Sequence, residues 1–142
     1  MRRWAVERSF LLLLAAAIGL TGCASVEQTV DDQIDASVAA VGTARLAVEQ
    51  LVEGRSYGPT VDTALLDALT QLEDAERSLA EVVPASDSQF SERQTALSGV
   101  HDAIMAVAAA RWSVADGAAL AGVRDELERI RQQLETGVRE RR

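Results

Sequence analysis

The sequence predicts an all-α protein, folded as an antiparallel up-down-up-down bundle of four helices. Only 4% of the 142 residues are aromatic and two are proline, whereas β-sandwiches and barrels need aromatic and β-branched strands divided by frequent turns. Ala, Leu, Val, Glu, Asp and Arg dominate instead, which is typical of helices. Apolar residues after position 25 recur at spacings of three and four, and the breaks between the periodic segments are short. Short connections make consecutive helices antiparallel neighbours.

The N-terminal segment has a different character and predicts a secretory signal peptide over residues 1–22. Arg2, Arg3 and Arg8 precede an apolar run of eleven residues over 10–20. A basic start followed by a short apolar core is the layout of a signal peptide. The run is too short to span a bilayer, which needs about 20 apolar residues. Residues 23–142 are therefore predicted to form the single folded domain.

Directly after the apolar run stands Leu20-Thr21-Gly22-Cys23. This stretch resembles the lipobox of bacterial lipoproteins, a Leu, two small residues and a Cys that end the signal peptide. The resemblance implies that the Cys23 thiol receives a diacylglycerol and that the chain is cut between Gly22 and Cys23. It also implies a further acyl chain, such as palmitate, on the new amino group. The alternative is an ordinary cleavable signal peptide with an accidental cysteine near its end.

The lipobox resemblance implies a location as well. Two or more acyl chains hold a protein stably on a membrane, so the domain is expected outside the cytoplasm, anchored at the bacterial cell envelope. Ala24, rather than Asp, follows Cys23. In the lipoprotein family this permits delivery to an outer membrane where the cell has two membranes.

Four amphipathic segments follow, and each is predicted to be a helix, over 26–53, 60–82, 87–115 and 118–139. Their ends carry cap and turn residues: Ser25 and Ser86 with Gln28 and Gln89 as capping boxes, Gly54, Gly58 and Pro59 between the first two helices, and Pro84 after the second. The apolar stripes of the last two segments lie about 160° apart on a straight helix. We therefore predict a turn near Asp116-Gly117, with Asp116 as N-cap. The alternative is three helices, the last one long and bent.

Charge and cysteine content exclude several classes of function. The net charge is −8 and the isoelectric point is about 4.6, which argues against nucleic-acid binding. Without the signal peptide the chain has 11 arginines and 21 acidic residues, a net charge of −10. A single cysteine excludes an internal disulfide and a multi-cysteine zinc site.

No constellation of residues predicts catalysis or a cofactor. His101 is the only histidine, and although Asp102 and Met105 are nearby, the Glu-x-x-His pairs of di-metal bundles and the C-x-x-C-H of attached haem are absent. The cluster of Asp31, Asp32 and Asp35 lacks the spacing of a calcium loop. Neither G-x-S-x-G nor a Gly-rich phosphate loop occurs. We therefore predict no catalytic residue, no metal and no enzyme.

Three apolar side chains lie off the main stripes of their helices by about 110–160°. They are Leu46, Leu66 and Trp112. They either broaden stripes that touch two neighbouring helices or form a surface for a partner. The leading hypothesis is a membrane-anchored structural or protein-interaction module, with an envelope protein or the cell wall as partner. The alternative is a carrier of a small apolar ligand or cofactor between the helices.

Overall fold

A computed structural model describes residues 25–116 and 120–139 of the chain, and these residues form four helices. Helix α1 spans Val26–Val52, α2 spans Gly58–Glu81, α3 spans Asp87–Asp116 and α4 spans Leu120–Arg139. The predicted four-helix bundle is thereby confirmed over the alternative of three helices, since α3 ends at Asp116 and α4 packs back against it. The predicted turn residue Gly117 lies outside the described residues.

The helices are arranged in chain order around the core. α1 contacts α2 and α4, α3 also contacts α2 and α4, and α1 and α3 touch across the diagonal, whereas α2 and α4 do not meet. One end of the bundle therefore holds the start of α1, the turn between α2 and α3, and the end of α4. We call it the Ser25 end. The opposite end holds the turn between α1 and α2 and is called the Gly54 end.

The core is built from aliphatic side chains of moderate size and many alanines. The largest apolar side chains that are fully buried come from all four helices: Val30, Val41, Val48, Val61, Leu65, Leu72, Leu79, Val100, Val107 and Leu127. Ser37 is the one buried polar residue among those described, and its hydroxyl donates to the carbonyl of Gln33 at 2.8 Å. A Cβ at Gly99 would lie 3.0 Å from Cδ2 of Leu134, so α3 and α4 approach closely at that point.

The helix caps follow the predicted residues. The Ser25 hydroxyl accepts from the amide of Gln28 at 3.1 Å, and the Ser86 hydroxyl accepts from the amide of Gln89 at 3.2 Å. In the second box the side-chain oxygen of Gln89 accepts from Ala85, one residue before the N-cap, at 2.8 Å. Both N-cap bonds satisfy amides that have no partner within the helix.

Helix α1 ends in a Schellman motif. Gly54 has a φ of 68°, in the left-handed region that glycine adopts without a Cβ penalty. Its amide donates to Leu51 at 3.0 Å, and the amide of Arg55 donates to Gln50 at 2.7 Å. These two bonds satisfy carbonyls of the last turn.

Polar side chains tie the helices together at the surface. Arg93 of α3 donates from Nε to the carbonyl of Leu79 at 2.9 Å and from Nη2 to that of Ala80 at 2.8 Å. These hydrogen bonds satisfy two carbonyls in the last turn of α2. Between α1 and α4, Nε of Arg45 lies 3.3 Å from a Glu128 carboxylate oxygen. Hydrogen bonds from Arg131 and Gln132 lower the pKa of Glu128 from its ordinary 4.5 to about 2.

Candidate interaction surface

Eight large hydrophobic side chains of the described residues are exposed: Leu46, Val52, Tyr57, Leu66, Val83, Phe90, Met105 and Trp112. Single exposed apolar side chains are normal on a protein surface. Several on one face mark a site of interaction more often than chance. Their distribution over the helices therefore decides which of them form a candidate site.

One of these side chains, Trp112, lines a groove between α2 and α3, and Leu66 and Met105 follow the same two helices by their spacing. The groove has a volume of about 320 Å³, and its lining includes Leu69, Ala108 and Trp112. Leu66 lies three residues before Leu69, and Met105 lies three before Ala108, so each is on the same helical face as its neighbour. Leu66, Leu69, Met105, Ala108 and Trp112 thus form one apolar strip, which we call the α2/α3 strip.

Two ion pairs join α2 to α3 beside the α2/α3 strip. Towards the Gly54 end, Arg111 donates from Nε and Nη2 to the two carboxylate oxygens of Asp62, at 2.8 and 3.2 Å. This bidentate hydrogen bonding and the positive charge of Arg111 lower the pKa of Asp62. Towards the Ser25 end, Nδ1 of His101 lies 3.3 Å from a carboxylate oxygen of Glu76. Both pairs cross from α2 to α3, so they fix the register in which the apolar residues between them meet.

Leu66 and Trp112, which the sequence offers as possible partner-surface residues, lie on the neighbouring helices α2 and α3. Trp112 is 80% exposed and Leu66 is 46% exposed. Leu46 is also 46% exposed, but it lies on α1, about 160° around the helix from the buried Val48. It therefore faces away from the core on a different side of the bundle and is separate from the α2/α3 strip.

Met105 is the strip residue that sequence reasoning did not assign to this surface. It is 59% exposed, and the sequence singles it out only as a neighbour of His101 in a possible metal site. The signal that identifies it is its spacing of seven residues from Trp112, which puts the two side chains on the same face two turns apart. Leu69, by contrast, belongs to the predicted apolar stripe of α2 and forms the buried floor of the surface.

The residues considered for metal binding are spread over the surface. His101 is exposed on α3 and pairs with Glu76 of α2. Asp31, Asp32 and Asp35 lie on α1. In the part of the chain that the structure describes, no group of three or more His, Cys, Asp or Glu side chains is arranged to hold a metal ion.

A second concave site lies between α3 and α4 and has a volume of about 550 Å³. Ile34, Gly99, Ile130 and Leu134 form its apolar part. Besides Gly137, the rest of its lining is polar: Thr95, Asp102, Arg129, Gln132, Gln133 and Thr136. The lining therefore combines an apolar floor with hydrogen-bonding groups on both helices.

The predicted lipidation site Cys23 and the predicted cleavage site between Gly22 and Cys23 lie outside the described residues. Within the residues that are described, none of the four helices has both the length and the apolarity needed to cross a membrane.

Comparison with known proteins gives no relative from which a role can be carried over. No protein-family model matches the chain, and no curated protein or solved structure matches it.

Proposed function

We propose that the protein is a non-enzymatic lipoprotein of the bacterial cell envelope whose helical bundle binds another protein through the α2/α3 strip. The observation that carries the binding role is the exposure of Leu66, Met105 and Trp112 on the neighbouring helices α2 and α3, whose register two ion pairs fix. The Leu20-Thr21-Gly22-Cys23 stretch supports the lipid anchor, with acylation at Cys23 and cleavage after Gly22.

The composition of the strip matches that of a protein-binding surface. Aromatic residues and methionine are enriched at the centres of interfaces, and tryptophan is among the residues that most often dominate binding energy. Methionine adapts to an irregular partner surface because its side chain is unbranched and polarisable. The paired charges beside the strip provide polar groups, which interfaces use to fix orientation.

The anchor and the strip lie towards opposite ends of the bundle. Ser25 caps α1 two residues after Cys23, so a lipid on Cys23 would lie next to the Ser25 end. Along α3, Trp112 lies 22 residues after Phe90, about 33 Å at 1.5 Å per residue. The strip would thus present its tryptophan to a partner located outside the layer of lipid headgroups.

The anchor is tested by comparing the wild-type chain with Cys23→Ser. Because a serine hydroxyl lacks the nucleophilic thiolate that takes the lipid, the variant should lose all label from a fatty-acid analogue and shift out of the membrane fraction. Equal labelling of the two proteins, or no label on the wild type, would refute the lipoprotein assignment.

The binding surface is tested with a matched pair of positions. A photo-crosslinking amino acid at position 66 should capture one specific envelope protein in intact cells, whereas the same group at position 46, of equal exposure, should not. Trp112→Ala should weaken the purified complex by about tenfold or more, the effect expected when an interface anchor is truncated. Equal cross-linking from positions 46 and 66 would contradict the role of the strip.

The groove between α3 and α4 favours a second candidate function, the carriage of a small apolar ligand. Its volume of about 550 Å³ is in the range of sites that hold such molecules. An apolar fluorescent probe should then bind with one-to-one stoichiometry, and Thr95→Trp, which puts a large side chain in the exposed lining of the groove, should abolish binding. Unchanged probe binding in that variant would exclude the groove as the site.

A further inference from the structure

The Ser25 end of the bundle brings the start of α1 and the start of α3 together. Nε2 of Gln89 donates to a carboxylate oxygen of Glu27 at 2.8 Å, and this hydrogen bond lowers the pKa of Glu27. Helix α2 ends at the same place, where Arg93 binds its last carbonyls. The turn from α2 to α3 is therefore held next to the first residues of α1.

Two large hydrophobic side chains are exposed at this end. Val83, in the turn after α2, is 82% exposed, and Phe90, in the first turn of α3, is 50% exposed. The α2/α3 strip is separate from them, because the paired residues Glu76 and His101 lie between. Their exposure to water is unfavourable at about 25 cal/mol per Å² of apolar surface, so a surface that covers both side chains would be stabilising.

The chain before α1 limits what that surface can be. Between Cys23 and the N-cap Ser25 there are two peptide steps, which span at most about 7 Å when fully extended. A lipid attached at Cys23 therefore brings the bilayer to within one side-chain length of the Ser25 end.

We propose that the Ser25 end lies against the membrane surface and that Val83 and Phe90 insert into the headgroup region. This inference rests on the proposed lipidation of Cys23. Apolar and aromatic side chains are stabilised at that depth, and the contact would hold the bundle upright, with its helices directed away from the lipid. Exposed charges of both signs border the same end, namely Glu27, Glu81, Asp87 and Arg139, so the proposed contact rests on the two apolar side chains and is tested on neutral lipid.

Depth-dependent fluorescence quenching tests the proposal on the lipidated protein. The full chain is produced in bacteria with Trp4→Phe and Trp112→Phe, which removes both native tryptophans. One indole is then introduced by Val83→Trp or Phe90→Trp, or by the control Tyr57→Trp. Tyr57 is 81% exposed, against 82% for Val83, but lies at the Gly54 end.

Each variant is reconstituted in phosphatidylcholine vesicles with and without doxyl-labelled phosphatidylcholine. We expect fluorescence from the Val83→Trp and Phe90→Trp proteins to be quenched at least about twofold more than that from Tyr57→Trp, since interfacial side chains reach the boundary between headgroups and acyl chains. Circular dichroism checks that each variant keeps the helical content of the wild type.

Two failures are distinguished by measuring mass and flotation of the same samples. If the protein carries lipid and floats with the vesicles, but quenching is equal at all three positions, the upright contact is wrong and the lipoprotein assignment stands. If the protein carries no lipid and does not float, the lipoprotein assignment fails, and the membrane contact fails with it.

Discussion

The same substitution, glycine to alanine, should change the stability of this bundle in opposite directions at positions 54 and 122. Gly54 has a φ of 68°, and nothing lies within 4 Å of the Cβ that an alanine would add there. Gly122 lies within α4 and also has open space around that Cβ. Neither substitution produces a clash, so backbone conformation alone decides whether each one raises or lowers the free energy of unfolding.

At Gly54 an alanine must adopt the left-handed conformation, which costs about 1–2 kcal/mol for a residue with a Cβ. The reduced entropy of the unfolded chain offsets about 0.4–1 kcal/mol of that cost, so Gly54→Ala should destabilise by about 1 kcal/mol. At Gly122 the helical backbone suits alanine, and Gly122→Ala should stabilise by about 0.5–1 kcal/mol.

Urea denaturation, monitored by circular dichroism, measures the difference in stability between the two variants, provided that their m-values are equal. With an m-value of about 1–3 kcal/mol/M, the two midpoints should separate by about 0.5–2 M, with the wild type between them. If Gly54→Ala is neutral or stabilising, or if both variants shift in the same direction, the Schellman motif at the end of α1 does not have the conformation described.

Three further predictions concern contacts within and between helices. Arg93→Ala should destabilise by about 1–2 kcal/mol in the same urea assay, because two carbonyls at the end of α2 lose a charged donor. Glu128 has a lowered pKa in the folded protein, so its stabilising contribution is present above about pH 4.5 and is lost as the pH falls towards 2. The urea midpoint of the wild type should therefore decline over that range, and that of Glu128→Gln should decline less. Gly99→Val should lower the thermal midpoint, since the close approach to Leu134 leaves no room for a branched side chain, and overpacking costs about 1–3 kcal/mol.

The helices could be predicted from sequence because their signals are local. Helix α1 was predicted over 26–53 and spans Val26–Val52, and α4 was predicted over 118–139 and spans Leu120–Arg139. Helix α2 begins at Gly58, two residues earlier than predicted, because both Gly58 and Pro59 occupy its first turn. Proline is accommodated there since the first amides of a helix have no partner within it. Helix caps and the spacing of apolar residues depend on residues within one or two turns of each other, so these signals can be identified in the sequence alone.

The candidate surface could be predicted only in part because it depends on the register between two helices. Helical phase identified Leu66 and Trp112 as residues off the main stripes, but it identified Leu46 by the same criterion. What separates Leu46 from the other two is the order of the helices around the core, with α2 beside α3 and Leu46 on the outer side of α1. Register also determines that Asp62 meets Arg111, a contact across 49 residues of sequence. No local pattern contains that information.

The two exposed surfaces are parts of one rigid pair of helices. Arg93 joins α3 to the end of α2, and Arg111 joins α3 to the start of α2, so α2 and α3 are tied near both ends. A membrane contact at Val83 and Phe90 would therefore set the orientation of the α2/α3 strip as well, because the strip cannot rotate independently of the turn below it. If both proposals hold, the bundle would serve as a spacer: one end would lie at the lipid, and Trp112, about 33 Å farther along α3, would meet the partner at a fixed distance from the membrane. Helices of 24 and 30 residues are long enough for that separation, whereas an anchor alone would require only the signal peptide and a cysteine.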